Sequence, residues 1–255
     1  MDQWKGKVAV VTGASAGIGA DIVRDLMKAG VHVVGLARRK ERMEKLSLEL
    51  ANAPGKLYPI ECDISNMDSI SKAFKEIETK LKVVHILINN AGRTKFGNFF
   101  DEKMPFDEIK ATFDVNLTGL AACTKAAHKL MKKHKDNCYI ININSVAGHV
   151  TIQPVFLSSN VYFTTKHGLT TFSNTIRLEL NSEGNRRIKV TNVSPGRILT
   201  EFGEAGGYPT ELMEASKNEP ALTGKDVSST IMYLLSTPAH MNITELTVQP
   251  TGEAF

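Results

Sequence analysis

The sequence predicts an α/β fold: a single domain over residues 1–255, built on a doubly wound parallel sheet of about seven strands with helices on both faces. Three observations carry this. Short, β-branched apolar runs alternate with amphipathic helical stretches along the chain, the pattern of strand–helix–strand units that make a parallel sheet. The runs are continuous, as in Val8-Ala9-Val10-Val11, which suits strands covered on both faces. The first run leads into a glycine turn, Thr12-Gly13-Ala14-Ser15-Ala16-Gly17-Ile18-Gly19, and then into a helix.

The elements follow in order. After the strand at Val8–Val11, a helix from Gly19 to Ala29 has Ile18, Ile22, Leu26 and Ala29 on one face, and Gly30 stops it. His32–Leu36 is a second strand. Arg39–Ala51 is a highly charged amphipathic helix ended by Pro54 and Gly55, and Leu57–Glu61 is a third strand. Ser65-Asn66-Met67-Asp68 is a capping-box pattern opening a helix to about Lys80. A fourth strand covers Val83–Ile88 and a long helix runs from about Phe106 to His134. Tyr139–Ile143, Ile188–Val193 and Glu245–Val248 are strands five to seven, with a long helix at Asn160–Asn181. The stretch 196–222 has no clear period and holds Gly203, Gly206, Gly207, Pro209 and Pro220, so it reads as an excursion over one end of the sheet. Thr223 then caps a helix to Ser236.

Composition narrows the function classes. The chain of 255 residues is long enough to bury a substantial core. Its net charge of +4 is mild and spread along the chain, without the basic density that nucleic-acid binding needs. No apolar run approaches the roughly 20 residues of a membrane span. Met1-Asp2-Gln3-Trp4-Lys5 is polar, so no signal peptide is expected. The three cysteines, Cys62, Cys123 and Cys138, lack metal spacing and read as reduced and structural, which suits a cytoplasmic location. No metal site is expected.

Four strand ends carry chemistry. Gly13, Gly17 and Gly19, followed by a helix N-terminus, make a place for an anion, most naturally a pyrophosphate. The spacing is Gly-x-x-x-Gly-x-Gly. The second strand ends in Ala37-Arg38-Arg39, where an NAD site would put an acid to hold the ribose hydroxyls. With Ala37 there, Arg38 and Arg39 would meet a 2′-phosphate, which points to NADP(H); the alternative is that both start a solvated helix. At the third strand end, Asp63 either accepts from an adenine amino group or starts a helix. The fourth ends in Asn89-Asn90-Ala91-Gly92, small enough for a flat ligand to lie against the backbone.

A second constellation lies downstream. Tyr162 and Lys166 are one helical turn apart and share a face. Ser145 ends the fifth strand and opens beside that face. Asn116 stands in mid-helix, an unfavourable place for asparagine. Together they form a plausible acid–base site.

The ordered set Thr12-Gly13-x-x-x-Gly17-Ile18-Gly19, Asn89-Asn90-Ala91-Gly92, Ser145, Tyr162-x-x-x-Lys166 and Pro195-Gly196 resembles the short-chain dehydrogenase/reductase family over nearly the whole chain. Within it, Gly35-Leu36-Ala37-Arg38-Arg39, Asn142-Ile143-Asn144-Ser145 and Glu245-Leu246-Thr247-Val248-Gln249-Pro250 are most similar to the insect farnesol dehydrogenase branch and its vertebrate relatives. The resemblance implies a Rossmann-type fold and an NADP(H)-dependent hydride transfer. It implies Tyr162 as acid in reduction and base in oxidation, and Ser145 as a hydrogen-bond partner of the substrate oxygen. Lys166 would hold the nicotinamide ribose and lower the Tyr162 pKa, and Asn116 would hold a proton-passing water. Ser15, Ile18 and Ile64 join the nucleotide contacts on the adenosine side. Asn90, Ala91, Gly92, Pro195, Gly196, Ile198 and Thr200 join them toward the nicotinamide. It further implies a homodimer or homotetramer paired through the helices at 106–134 and 160–181.

Two departures stand out. Ser145 and Tyr162 lie 17 apart, several more than is usual in the family, with the extra residues between His149 and Asn160. The last strand lacks the Asp-Gly-Gly that many members carry. The expected substrate lining is His149 to Leu157 with Phe202, Tyr208, Leu212 and Met213, mostly apolar and without Arg or Lys. That favours an apolar alcohol or carbonyl, such as farnesol/farnesal or a similar isoprenoid. A hydroxysteroid dehydrogenase or general carbonyl reductase of the same fold is the alternative, and a non-catalytic NADP(H) sensor is the alternative of another class.

Overall fold

A computed structural model describes residues 1–151 and 159–253. The apolar runs form β1 (Val8–Thr12), β2 (His32–Ala37), β3 (Leu57–Glu61), β4 (Ile86–Asn89), β5 (Cys138–Ile143), β6 (Ile188–Pro195) and β7 (Glu245–Val248). They make one seven-stranded sheet in the order β3-β2-β1-β4-β5-β6-β7. Every pairing is parallel. The order reverses between β1 and β4, so the crevice beyond their C-terminal ends is where a ligand fits such a sheet.

Both faces of the sheet are covered over its central strands, which explains why those strands read as unbroken apolar runs; the edge strand β7 is half-exposed. Ala9, Val11, Val33, Ile86 and Ile88 pack on one face against α1 (Gly17–Lys28), α2 (Lys40–Glu49) and α9 (Gly224–Ser236). The alternate residues Val10, Val34, Leu87, Ile140 and Val190 pack on the other. There they meet α3 (Met67–Leu81), α5 (Leu120–Met131) and the end of α6 (Tyr162–Ser182).

Several boundaries differ from the sequence expectation, each for a local reason. Lys82 takes a left-handed conformation (φ 66°) and closes α3 with a bond from its N–H to Ile77 O, so β4 begins at Ile86, not Val83. The cap of α3 is Asn66, whose side chain accepts from Ser69 N, while the Ser65 hydroxyl turns back to Asp63. The long helix expected at 106–134 is α4 (Phe106–Phe113), a π-helical turn at Asp114–Gly119, and α5, which stops at Met131. The excursion at 196–222 contains two short helices, α7 (Phe202–Ala205) and α8 (Thr210–Ala215). At Thr223 the expected cap is a full capping box with Asp226.

The strand ends around the crevice are fastened by side-chain amides. Asn89, Asn142 and Asn192 are register partners on β4, β5 and β6, and all three are buried. Asn89 Nδ2 donates to Asn142 Oδ1 at 2.8 Å and to Thr124 Oγ1 at 2.9 Å, and Asn142 Nδ2 donates to Ser173 Oγ at 2.8 Å. Ser173 Oγ also lies 2.9 Å from Asn192 Oδ1. This row ties three parallel strands to α5 and α6 just below the site.

Candidate active site

A cleft of about 670 Å³ opens at the C-terminal end of the sheet. One end of it is built from the glycine turn. Gly13, Ser15, Gly17 and Ile18 line it. Gly19 lies beneath the turn instead: a Cβ on it would sit 2.2 Å from Gly13 O, so only glycine lets α1 close against β1. Asn90 holds the turn in place, with Nδ2 donating to Thr12 O at 2.9 Å. The Asn90 and Ala91 N–H groups both donate to Thr12 Oγ1 at 3.0 Å. The small residues Asn90, Ala91 and Gly92 thus serve as wall and as brace.

Beyond the turn the cleft runs past Ala37, Arg38 and Arg39 on one side and Asp63 and Ile64 on the other. Ala37 is buried and Arg38 is exposed. Arg39 is drawn 3.6 Å from a Glu201 carboxylate oxygen. Asp63 lines the cleft, and its Oδ1 accepts from Ser65 N and Oγ at 2.9 and 2.7 Å, shaping the turn that leads into α3.

The other end holds Ser145, Tyr162 and Lys166, with Pro195, Gly196, Ile198 and Thr200 along the rim. Ser145 follows β5 in an extended conformation and caps a short 3-10 turn, its Oγ accepting from Ala147 N at 3.1 Å. That leaves its O–H to donate elsewhere. Lys166 is buried, and its Nζ donates to Ile143 O at 2.9 Å and Asn144 O at 3.2 Å. The same nitrogen lies 5.5 Å from the Tyr162 ring centroid, as the one-turn spacing requires. Burial pushes the Lys166 ammonium down to about 7. Burial also pushes the Tyr162 phenol above its ordinary range, with Ser145 pulling weakly the other way. Both groups are therefore biased toward their neutral forms.

Asn116 sits in the π turn, buried, and its side chain is already committed. Oδ1 accepts from Arg93 N at 2.8 Å, while Nδ2 donates to Arg93 O at 2.9 Å and to Thr165 Oγ1 at 3.0 Å. With both N–H groups used, the side chain clamps the chain after Gly92 to α6. The π turn is what places it there, and Gly119 permits the close approach: a Cβ on it would lie 1.9 Å from Ile64 O.

The expected substrate lining is only partly assembled. Phe202 lines the cleft, its ring edge-on to Tyr162 at 5.8 Å. Tyr208 does not line it: its hydroxyl lies 2.6 Å from Ser159 Oγ and its ring packs on Phe96. Leu212 and Met213 also lie off the cleft, Met213 packing toward Gly203. His149 turns to Ser194 and Glu245, at 2.9 and 3.2 Å. Residues 152–157 of that lining lie outside the described residues. The sequence reading missed Arg93, which does line the cleft; Glu108 pairs with it through a short contact, so it offers no free cation. Glu201 on the rim was missed as well. Its signal is its place directly after Thr200.

At the opposite end of the sheet, His85, His134 and Asp136 gather side-chain donor atoms within 4.8 Å of one another. His85 Nδ1 accepts from Val8 N at 3.1 Å, which puts the ring proton on Nε2 facing Asp136. That nitrogen is a donor there and not a metal ligand. Among the described residues no helix is long and apolar enough to cross a membrane.

Residues 7–206 match the family model of the short chain dehydrogenases. The chain is 41% identical over 256 residues to farnesol dehydrogenase of Aedes aegypti, covering 100% of both chains. It is 36% identical to the human dehydrogenase/reductase SDR family member 11, covering 99% of this chain and 97% of that one. Among solved structures, the closed form of a serine dehydrogenase complexed with NADP+ superposes with a TM-score of 0.84 at 29% identity, over 97% of this chain and 96% of that one.

Proposed function

This chain belongs to the short chain dehydrogenase family, and we propose that it is an NADP(H)-dependent oxidoreductase acting between an apolar alcohol and its carbonyl, with isoprenoid alcohols of the farnesol type as the substrate class. The observation that carries the reading is one cleft with an exposed arginine beside Ala37 at one end and Tyr162, Ser145 and Lys166 at the other. The glycine turn, the flat Asn90–Gly92 wall and Arg38 fit a phosphorylated dinucleotide laid along it.

When bound, the nicotinamide supplies the hydride. The chain's own residues supply the rest. The Tyr162 hydroxyl, kept protonated by burial, gives its proton to the substrate oxygen in reduction. The Ser145 O–H, with its lone pair occupied by Ala147 N, donates to the same oxygen. Lys166 spends two of its three N–H groups on Ile143 O and Asn144 O, leaving one for a ribose hydroxyl. In oxidation, where Tyr162 must lose its proton, each unit of lowering takes about 1.36 kcal/mol, which Lys166 would supply in its protonated form, 5.5 Å from the ring centroid. Asn116 acts as a positioning residue through its clamp on Arg93. The apolar substrate class is supported by Phe202 on the wall and by the pairing of Arg93 with Glu108, which leaves that cation unavailable for a substrate carboxylate. The similarity to the Aedes aegypti enzyme supports the same class.

The test is a set of kcat/KM values for NADPH and NADH with farnesal, a steroid ketone and serine, in wild type and in Ala37→Asp/Arg38→Ile. One charge-assisted contact at Arg38 is worth about 1.5–3 kcal/mol when well made, so wild type should favour NADPH by about tenfold or more. The double variant should reverse that preference. Equal use of both nucleotides by wild type refutes the cofactor assignment, and turnover of serine in preference to farnesal refutes the substrate class. The pairing helices also lead us to propose a homodimer or homotetramer; a 27.9 kDa particle in light scattering at micromolar concentration would contradict it.

A further inference from the structure

The rim of the cleft is bridged by charge. Arg39 and Arg42 stand at the start of α2, and Glu201 opens the excursion that crosses the other side of the cleft. Arg42 Nη1 donates to both Glu201 carboxylate oxygens, at 3.3 and 3.1 Å, and Arg39 Nη1 lies 3.6 Å from one of them. Arg42, and less strongly Arg39, hold the Glu201 carboxyl below the ordinary carboxylate range. The stem of this bridge rests on the glycine turn: a Cβ on Gly17 would touch the Thr200 methyl at 3.4 Å. The bridge therefore runs from the turn, across the mouth of the groove, to α2. Arg38, between β2 and α2, takes no part in it and stays exposed.

We propose that Glu201 is a cofactor-retention residue: by gripping Arg42, with Arg39 as a second arm, it closes the start of the excursion over the bound dinucleotide and leaves Arg38 as the arginine that meets a 2′-phosphate. The proposal rests on the reading of the cleft as a dinucleotide site. It divides the three arginines by partner. Two answer a carboxylate supplied by the chain itself, and one stands open to the ligand. The bridge forms only when the excursion lies across the groove, so its contribution belongs to the closed state and slows release. It acts on the part of the ligand that NADPH and NADH share. An exposed ion pair changes such an equilibrium by a factor of about two to five and fades as salt rises.

The experiment is stopped-flow displacement of NADPH and of NADH, followed by nucleotide fluorescence, on the full chain at low ionic strength. Glu201→Gln and Arg42→Gln should each speed release of both nucleotides by about two- to fivefold. The double variant should be no faster than Glu201→Gln alone, because that change already removes both arms of the bridge. Arg38→Gln should speed release of NADPH alone. Urea unfolding of Glu201→Gln should match wild type, which separates retention from loss of fold. Unchanged release of both nucleotides from Glu201→Gln overturns the proposal. So does slower NADPH release with NADH unaffected, which would make the carboxylate a competitor of the 2′-phosphate. A wild type that binds neither nucleotide overturns the reading of the cleft itself, a result distinct from either.

Discussion

Replacing His85 should change how the protein responds to acid. His85 is buried at the foot of β4, where its Nδ1 accepts from Val8 N at 3.1 Å and its Nε2 lies 3.2 Å from Asp136 Oδ2. The His134 ring stands 4.4 Å away, and Lys7 shares Asp136. Protonating Nδ1 would set an N–H against the Val8 N–H. Burial first, then the neighbouring His134 and Lys7, hold the imidazole down from 6.5 to about 4, although Asp136 pulls the other way. The folded pKa is thus below the unfolded one, and between them the unfolded chain binds more protons. Stability contributed by neutral His85 is fully present above about 6.5 and is lost as pH falls toward about 4. The loss across that window is about 3 kcal/mol, a large share of the 5–15 kcal/mol that holds a typical domain folded.

His85→Gln keeps an acceptor for Val8 N and a donor for Asp136 but does not titrate. It should cost about 1 kcal/mol at neutral pH through poorer packing, and its stability should then decline less steeply on acidification. The assay is urea unfolding followed by circular dichroism at several pH values from 7 to 4.5. Carboxylates titrate in the same range in both proteins, so the difference between the curves isolates His85. Parallel pH profiles for wild type and variant would refute the argument.

Two further predictions bear on the site and its support. Tyr162→Phe removes the proposed proton donor and should cut turnover by at least about 100-fold, with NADPH affinity barely changed; a variant keeping more than a tenth of wild-type turnover ends the assignment. Asn142→Ala takes the acceptor from Asn89 Nδ2 and the donor from Ser173 Oγ in a fully buried row. It should cost about 2–3 kcal/mol in urea unfolding, and a loss under about 0.5 kcal/mol would mean that the row is not a fastening.

What could be read from the residues in advance was whatever repeats locally. Continuous β-branched runs and one-face helical patterns locate the inner strands, which are buried on both faces, while the edge strand β7 is read from a short, half-exposed run. The glycine turn and the one-turn spacing of Tyr162 and Lys166 are also short-range, and the structure brings both to one cleft. What escaped depends on distant partners. Asn89, Asn142 and Asn192 become neighbours only through strand register. Arg42 and Glu201 meet across 159 positions. His149 is polar and near Ser145 in the chain, yet Ser194 and Glu245 draw it off the cleft. Asn116 was conspicuous as a poor mid-helix residue, but the π turn that accommodates it leaves no periodic trace.

That π turn sets the angular phase of a rod. An α-helix advances about 100° per residue, and a π turn holds one residue more than an α turn. The faces of α4 and α5 are therefore offset by that extra residue. Deleting one residue between Asp114 and Gly119 would let the rod wind as continuous α-helix with its backbone bonds satisfied. It would also swing Thr124 away from Asn89, Gly119 away from Ile64 O and Asn116 away from Arg93. Chain length in these six residues is consequently a mechanical setting that aligns one contact with the sheet and one with the turn after β3 to one wall of the cleft.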